Sequence, residues 1–108
     1  MHLRSGTPLL AEEEASRALD LLEGRIDFLD EIGSAQLVRG RALTELGRID
    51  EAFAAVGAAE RSFEQLGSPS HVAAAWVARG DALKASGDLE SAADLYRRAA
   101  EALQDVKF

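Results

Sequence analysis

The side chains able to do chemistry are few and poorly spaced for it. There are two histidines, His2 and His71. His2 stands in the leading Met1-His2-Leu3-Arg4-Ser5-Gly6 stretch, and His71 follows the helix-opening run Ser68-Pro69-Ser70. Neither has a second ligand at the short, fixed spacing of a metal site, so both read as solvated surface residues. Glu12-Glu13-Glu14 and the cluster Asp27, Asp30, Glu31 would attract a divalent cation if they converged. Consecutive glutamates point to different faces of a helix, however, and near its start they complement the positive end of the macrodipole. The nine glycines are spread along the chain and build no phosphate-cradling loop. With no cysteine and two histidines so placed, no Ser/His/Asp or Cys/His set is expected to assemble. The residues therefore predict no catalytic group, no metal, no cofactor and no enzyme.

Composition narrows the remaining classes. The 108 residues are 47% hydrophobic, enough for a core, with alanine and leucine prominent and aromatics only 6%. That mixture favours helices packed through small side chains over strands. The formal charge is −7, and residues 1–33 alone hold eight acids against three arginines. No basic footprint exists to neutralise phosphates, which argues against direct nucleic-acid binding and against anionic membranes. The first residues lead into no apolar run of signal-peptide length, and nothing approaches a membrane span of roughly 20 apolar residues. A soluble, cytoplasmic chain is expected, and the absence of cysteine fits a reducing compartment.

The helices that would position any site come in a repeat. Shifted by 40 positions, Arg39, Gly40, Ala42, Leu43, Gly47, Ala52 and Ala59 fall on Arg79, Gly80, Ala82, Leu83, Gly87, Ala92 and Ala99. Leu37, Ile49 and Val56 fall on Val77, Leu89 and Tyr96. Each copy reads as two helices. In the second copy Ser68 and Pro69 form an N-cap and first helical position. Val72, Ala75, Trp76, Arg79 and Leu83 recur at helical steps, Gly87 turns the chain, and Asp88 caps the next helix. That helix has an inward stripe of Leu89, Ala92, Leu95, Tyr96, Ala99 and Leu103. In the first copy Gly33-Ser34 opens, Gly47 turns, and Ile49, Ala52, Val56, Ala59 and Phe63 face inward. Gly40 and Gly80 stand inside helices, where glycine costs roughly 1 kcal/mol against alanine. Their recurrence predicts a helix–helix approach too close for a methyl group.

The pattern Trp76-x3-Gly80-x2-Leu83-x3-Gly87-x-Leu89-x2-Ala92-x3-Tyr96-x2-Ala99 resembles the tetratricopeptide repeat. The first copy departs from it at Gln36, where the family favours tryptophan, and neither copy has the usual closing proline. The 40-residue period and the ending Tyr96-Arg97-Arg98-Ala99-Ala100-Glu101-Ala102-Leu103 resemble the C-terminal regulatory arrays of bacterial helix-turn-helix transcription regulators. The resemblance covers roughly residues 9–105. It implies an all-α, right-handed solenoid of antiparallel hairpins in which Trp76 and Tyr96 belong to the core. Arg97-Arg98 reads as the solvent face of the last helix.

About five helices are expected after a flexible segment 1–7, over 8–32, 34–46, 49–66, 69–86 and 89–105, in a single domain. The first reads as one long helix, the second half of a hairpin whose first half is missing. It is placed by laying Ala18, Leu22, Leu29, Ile32 and Gly33 on Ala52, Val56, Phe63, Leu66 and Gly67. A competing reading notes that Gly24-Arg25-Ile26-Asp27 copies Gly47-Arg48-Ile49-Asp50 and puts a turn at Gly24. It is set aside here because it leaves a second helix of barely two turns.

The resemblance also implies where a partner would sit, along the concave face lined by the first helix of each pair. The matching positions are Ser34, Leu37, Val38, Arg41, Thr44 and Glu45, then Ala74, Val77, Ala78, Asp81 and Lys84. Members that clamp a C-terminal carboxylate need lysine and asparagine there; Leu37, Arg41, Val77 and Asp81 imply no such clamp. The expected partner is a protein or peptide, bound on an apolar floor edged by Arg41, Asp81 and Lys84, unless Leu37 and Val77 simply pack the next helix. Uncapped ends, with Leu10, Leu22 and Leu29 at one and Leu103, Val106 and Phe108 at the other, imply a homodimer or an assembly role.

Overall fold

The computed structural model describes residues 7–23 and 25–104. Helices run over Thr7–Leu22 (α1), Leu29–Glu45 (α2), Ile49–Leu66 (α3), Pro69–Ala85 (α4) and Leu89–Gln104 (α5), with a single 3-10 turn at Ile26–Phe28. Successive helices pack on one another, and α2 also meets α4, so the two hairpins α2–α3 and α4–α5 stack as an all-α helical repeat solenoid. Among the described residues no helix is long and apolar enough to cross a membrane. The flexible segment expected over 1–7 lies outside the described residues except for Thr7, which opens α1.

The hairpin turns follow from glycine at one fixed place. Gly47 and Gly87 adopt φ of 78° and 95°, a left-handed backbone that a side chain would strain. Each closes the same pair of bonds. The amides of Gly47 and Arg48 donate to the carbonyls of Thr44 and Leu43, and those of Gly87 and Asp88 to Lys84 and Leu83. Asp88 then caps α5, its Oδ1 accepting the Ser91 amide at 3.1 Å. Ser68 makes no such cap bond at α4.

Small residues set the distance between helices. A Cβ built on Gly40 would lie 2.5 Å from Val56 Cγ2, and one on Gly80 would lie 2.6 Å from Tyr96 Cε1. Both separations are shorter than carbon atoms tolerate, so α2 and α3, and α4 and α5, touch backbone to side chain. Phe63, Leu43 and Val56 are the largest fully buried side chains, and the rest of the core is mostly alanine. Where the second copy has Trp76, the first has Gln36, which accepts a 2.7 Å hydrogen bond from the hydroxyl of nearly buried Ser62. A polar pair thus replaces an aromatic contact.

The N-terminal quarter corrects the sequence reading. The helix expected over 8–32 ends at Leu22, and the one expected from 34 begins at Leu29. The break falls between Leu22 and Ile26, the stretch where the competing reading put its turn. Its second helix is not short, because Gly33 does not open a helix. Gly33 is buried within α2, where a Cβ would strike the Phe63 ring at 2.5 Å. It serves packing rather than turning. The useful register between α1 and α3 is therefore 44 residues, laying buried Pro8 and Ala15 on buried Ala52 and Ala59. α1 is locked to α2 by Arg39, whose Nε donates to Glu12 Oε2 at 2.8 Å and to Ser16 Oγ at 3.2 Å. Hydrogen bonds from Ser16 and then Arg39 hold the Glu12 carboxyl below its usual range. Arg79 makes the analogous reach from α4 to Glu60 on α3, at 3.2 Å, with its Nε buried and unpaired among the described residues.

The expected apolar ends shift as well. Leu9, Leu10 and Leu21 are exposed on α1, whereas Leu22 and Leu29 are half-buried. On α5, Leu89, expected inside, stands 62% exposed, and Leu103, read both in the inward stripe and at an uncovered end, stands 42% exposed. Val106 and Phe108 lie outside the described residues.

Replacing Gly40 by alanine is expected to destabilise the chain by about 1–3 kcal/mol through overpacking, although helix propensity alone would add about 1 kcal/mol of stability. Adding Val56→Ala removes the clash, so the double variant should lose less than the two single losses combined. Urea unfolding measures all three, and a Gly40→Ala chain more stable than its parent contradicts the close approach.

Candidate functional groove

α2 and α4 lie side by side, and a groove of about 580 Å³ opens between their C-terminal halves. Its walls are Arg41, Thr44 and Glu45 from α2 and Ala78, Asp81, Lys84 and Ala85 from α4. These residues recur every three or four positions, so each helix turns one face to the groove. Six of the eleven residues expected from the sequence meet here. Ala85 was missed, although its place four residues after Asp81 put it on the same face.

The other five stand apart. Ser34 lies two turns before Arg41, and its hydroxyl donates a long 3.4 Å bond to Asp30. Val38 is exposed one turn before Arg41, and Val77 is half-buried one turn before Asp81. Leu37 is only 8% exposed, buried with Val56, Ala59, Phe63, Ala75 and Ala78, and Ala74 packs against that cluster. The apolar floor expected from Leu37 and Val77 is thus a floor of small side chains, chiefly Ala78 and Ala85.

The polar groups of the groove divide into committed and free. Thr44 Oγ1 donates to the Gly40 carbonyl at 3.0 Å. Asp81 Oδ1 accepts the Tyr96 hydroxyl at 2.5 Å, tying the groove wall to α5. Burial first, and then the hydrogen bond and charge of Asp81, push Tyr96 up to about 12. Arg41, Glu45 and Lys84 make no ion pair or side-chain hydrogen bond with any described residue.

Two further clusters gather residues distant in sequence. A cleft of about 340 Å³ is lined by Glu60, Glu64, Trp76, Arg79, Leu95 and Arg98. There the Arg98 guanidinium lies 5.3 Å from the centre of the Trp76 ring. Trp76 is half-buried beneath it rather than enclosed, and Arg97 pairs with Asp94. Separately, Ser68 Oγ lies 2.5 Å from His71 Nδ1, and His71 Nε2 lies 3.6 Å from Asp30 Oδ1. A Ser/His/Asp set therefore does assemble, because α2 and α4 pack with their N-termini together, a contact that sequence spacing does not reveal. It stands on open surface, with side chains of His71 and Asp30 42% and 59% exposed. Its His71 ring lies 4.9 Å from Phe63. Acyl transfer needs a walled site with oxyanion donors, so this set reads as a bridge between helices. Among the described residues no group of three or more histidines and acids could hold a metal ion.

A sequence model described as tetratricopeptide repeat matches residues 31–105, the stretch occupied by both hairpins. The chain belongs to the tetratricopeptide-repeat family. No curated protein and no solved structure gives a significant match. Tetratricopeptide repeats are non-catalytic modules that generally mediate protein–protein interaction. In tetratricopeptide-repeat terms, α2 and α4 are the first helices of their pairs, the ones that line a concave face.

Tyr96 is the chain's one tyrosine, so its ionisation can be followed directly by ultraviolet absorbance. The midpoint is expected near 12, and Asp81→Asn should lower it while burial keeps it above 10. Because folding raises this pKa, the stabilisation is complete below pH 10 and is lost as the pH rises through 12. A midpoint at 10 that Asp81→Asn leaves unmoved would rule out the Tyr96–Asp81 coupling.

Proposed function

We propose that this tetratricopeptide-repeat chain binds a short protein or peptide segment in the groove between α2 and α4. The observation that carries the reading is the groove's composition. Arg41, Lys84 and Glu45, without partners among the described residues, surround a floor of Ala78 and Ala85, while Asp81 is anchored by Tyr96. Small floor residues admit a backbone closely, and unpaired charges of both signs fix its register more than they add affinity. A segment with small side chains and mixed charge suits this surface.

A narrower reading makes the module the regulatory part of a helix-turn-helix transcription regulator. The Tyr96–Leu103 ending supports it, and occupancy of the groove would then bias assembly of the whole regulator. The other reading is structural, with self-association through the ends and an inert groove. The exposed leucines of α1 and α5 support that one.

The test is to select peptides from a random library against the parent chain and measure their affinity for an Arg41→Glu/Lys84→Glu variant of equal thermal stability. A loss of tenfold or more, about 1.4 kcal/mol, is expected. Unchanged affinity removes the groove assignment. Reversing Asp81 should weaken binding too, but it also breaks the Tyr96 bond, so the Arg41/Lys84 pair isolates recognition from packing. For the regulator reading, the intact mass of the native gene product should exceed 11.5 kDa and include a helix-turn-helix segment. A native mass of 11.5 kDa would remove it.

A further inference from the structure

The internal repeat shows what one uncovered face of the molecule is shaped to receive. In the first hairpin, the face of α3 formed by Phe53, Gly57 and Glu60 lies under α4. Phe53 packs against the cluster that includes Ala82, Arg79 reaches to within 3.4 Å of a Cβ built on Gly57, and the same arginine pairs with Glu60. Forty residues on, these positions are Ala93, Arg97 and Ala100 of α5, and all three are exposed. Leu43, fully buried by the stacked helix in the first hairpin, becomes half-buried Leu83 in the second. This is a surface on which a helix packs elsewhere in the same chain.

Its own pattern points to the occupant. Leu89, Ala93, Tyr96, Ala100 and Leu103 recur at steps of four, three, four and three, the 3.5-residue period of a helix-pairing seam. Leu89 and Leu103 are 62% and 42% exposed, Ala93 and Ala100 are exposed, and the half-buried Tyr96 ring is fixed by its bond to Asp81. The order Leu-Ala-Tyr-Ala-Leu reads the same in both directions, so a two-fold axis at Tyr96 between antiparallel helices sets leucine against leucine and alanine close to alanine. We infer that α5 pairs antiparallel with α5 of a second copy, about a two-fold axis at Tyr96.

Leu89 then lies opposite the partner's Leu103, and Ala93 lies opposite the partner's Ala100. The alanines allow the close approach and the leucines cover the two ends. No charged residue stands in the seam, and the flanking Arg97 pairs with Asp94 of its own helix. The inference deepens the self-association reading and is independent of peptide binding in the groove.

Sedimentation equilibrium over a dilution series should show the parent approaching twice 11.5 kDa, and Ala93→Glu should return it to 11.5 kDa with unchanged helicity. Adding Ala100→Lys to Ala93→Glu should restore the dimer, because the register sets each new glutamate against the partner's new lysine. The chain has no cysteine, so introduced thiols are the only ones present. A mixture of Ala93→Cys and Ala100→Cys chains should oxidise to a linked dimer while neither chain does so alone. Two-fold copies of one position stand about 9 Å or more apart along the helices, beyond disulfide reach. If Ala93→Glu fails to fold, this cross-linking pattern decides. A parent that is monomeric throughout, or a linked dimer from Ala93→Cys alone, overturns the inference. A dimer indifferent to Ala93→Glu overturns this face while leaving self-association standing.

Discussion

The structure depends on three places where a glycine backbone lies directly under a side chain of the next helix, Gly33 beneath Phe63, Gly40 beneath Val56 and Gly80 beneath Tyr96. Ordinary helix pairs sit 8–10 Å apart, with side chains interleaved between the axes. Removing the Cβ on one side closes that gap and lets backbone meet side chain. Glycine within a helix is unfavourable by roughly 1 kcal/mol, so its place here is maintained by packing and not by propensity. With the helices this close, long side chains have no room between them. The alanine core at Ala52, Ala59, Ala92 and Ala99 is a consequence of that spacing.

The same contacts lead outward to the groove. Tyr96, held over Gly80, places its hydroxyl on Asp81, so the position of a groove-wall carboxylate is set by the packing of a helix that does not line the groove. Val56, held over Gly40, fills the cluster that draws Leu37 inward. What remains for recognition on α2 is the charged and small half of its surface. The acidity of the chain does not spread evenly into this region, because Arg41 and Lys84 stand there without partners among the described residues.

The sequence made the two hairpins legible because the turn bonds and the Gly40–Val56 contact recur 40 residues on, the latter as Gly80–Tyr96. It misled where one residue type does two jobs. Gly47 and Gly87 turn the chain, Gly40 and Gly80 let helices touch, and Gly33 belongs to the second group although it was read with the first. A glycine's sequence context does not say whether it lacks a side chain for conformation or for space; the partner, here Phe63, decides. The break between α1 and α2 was foreshadowed by the copied Gly-Arg-Ile-Asp motif, and that reading was set aside because it left a second helix of barely two turns. Six of the positions implied by the tetratricopeptide-repeat resemblance line the groove between α2 and α4, because they share one face of each helix. For Leu37 the sequence left groove floor and helix packing both open, and its burial among neighbouring helices is a tertiary fact. The Ser68–His71–Asp30 cluster likewise needed the stacking of α2 on α4 before it could be seen.

The most direct measurement of this account is the nuclear Overhauser spectrum of the folded chain in solution. Strong cross-peaks are expected between the Gly40 α-protons and the Val56 methyls, and between the Gly80 α-protons and the Tyr96 ring. Their presence would place backbone against side chain at both hairpins, as the whole arrangement requires. If either pair is missing while α2–α5 remain helical, the helices are farther apart than described, and the groove wall built on Tyr96 and Asp81 falls with them.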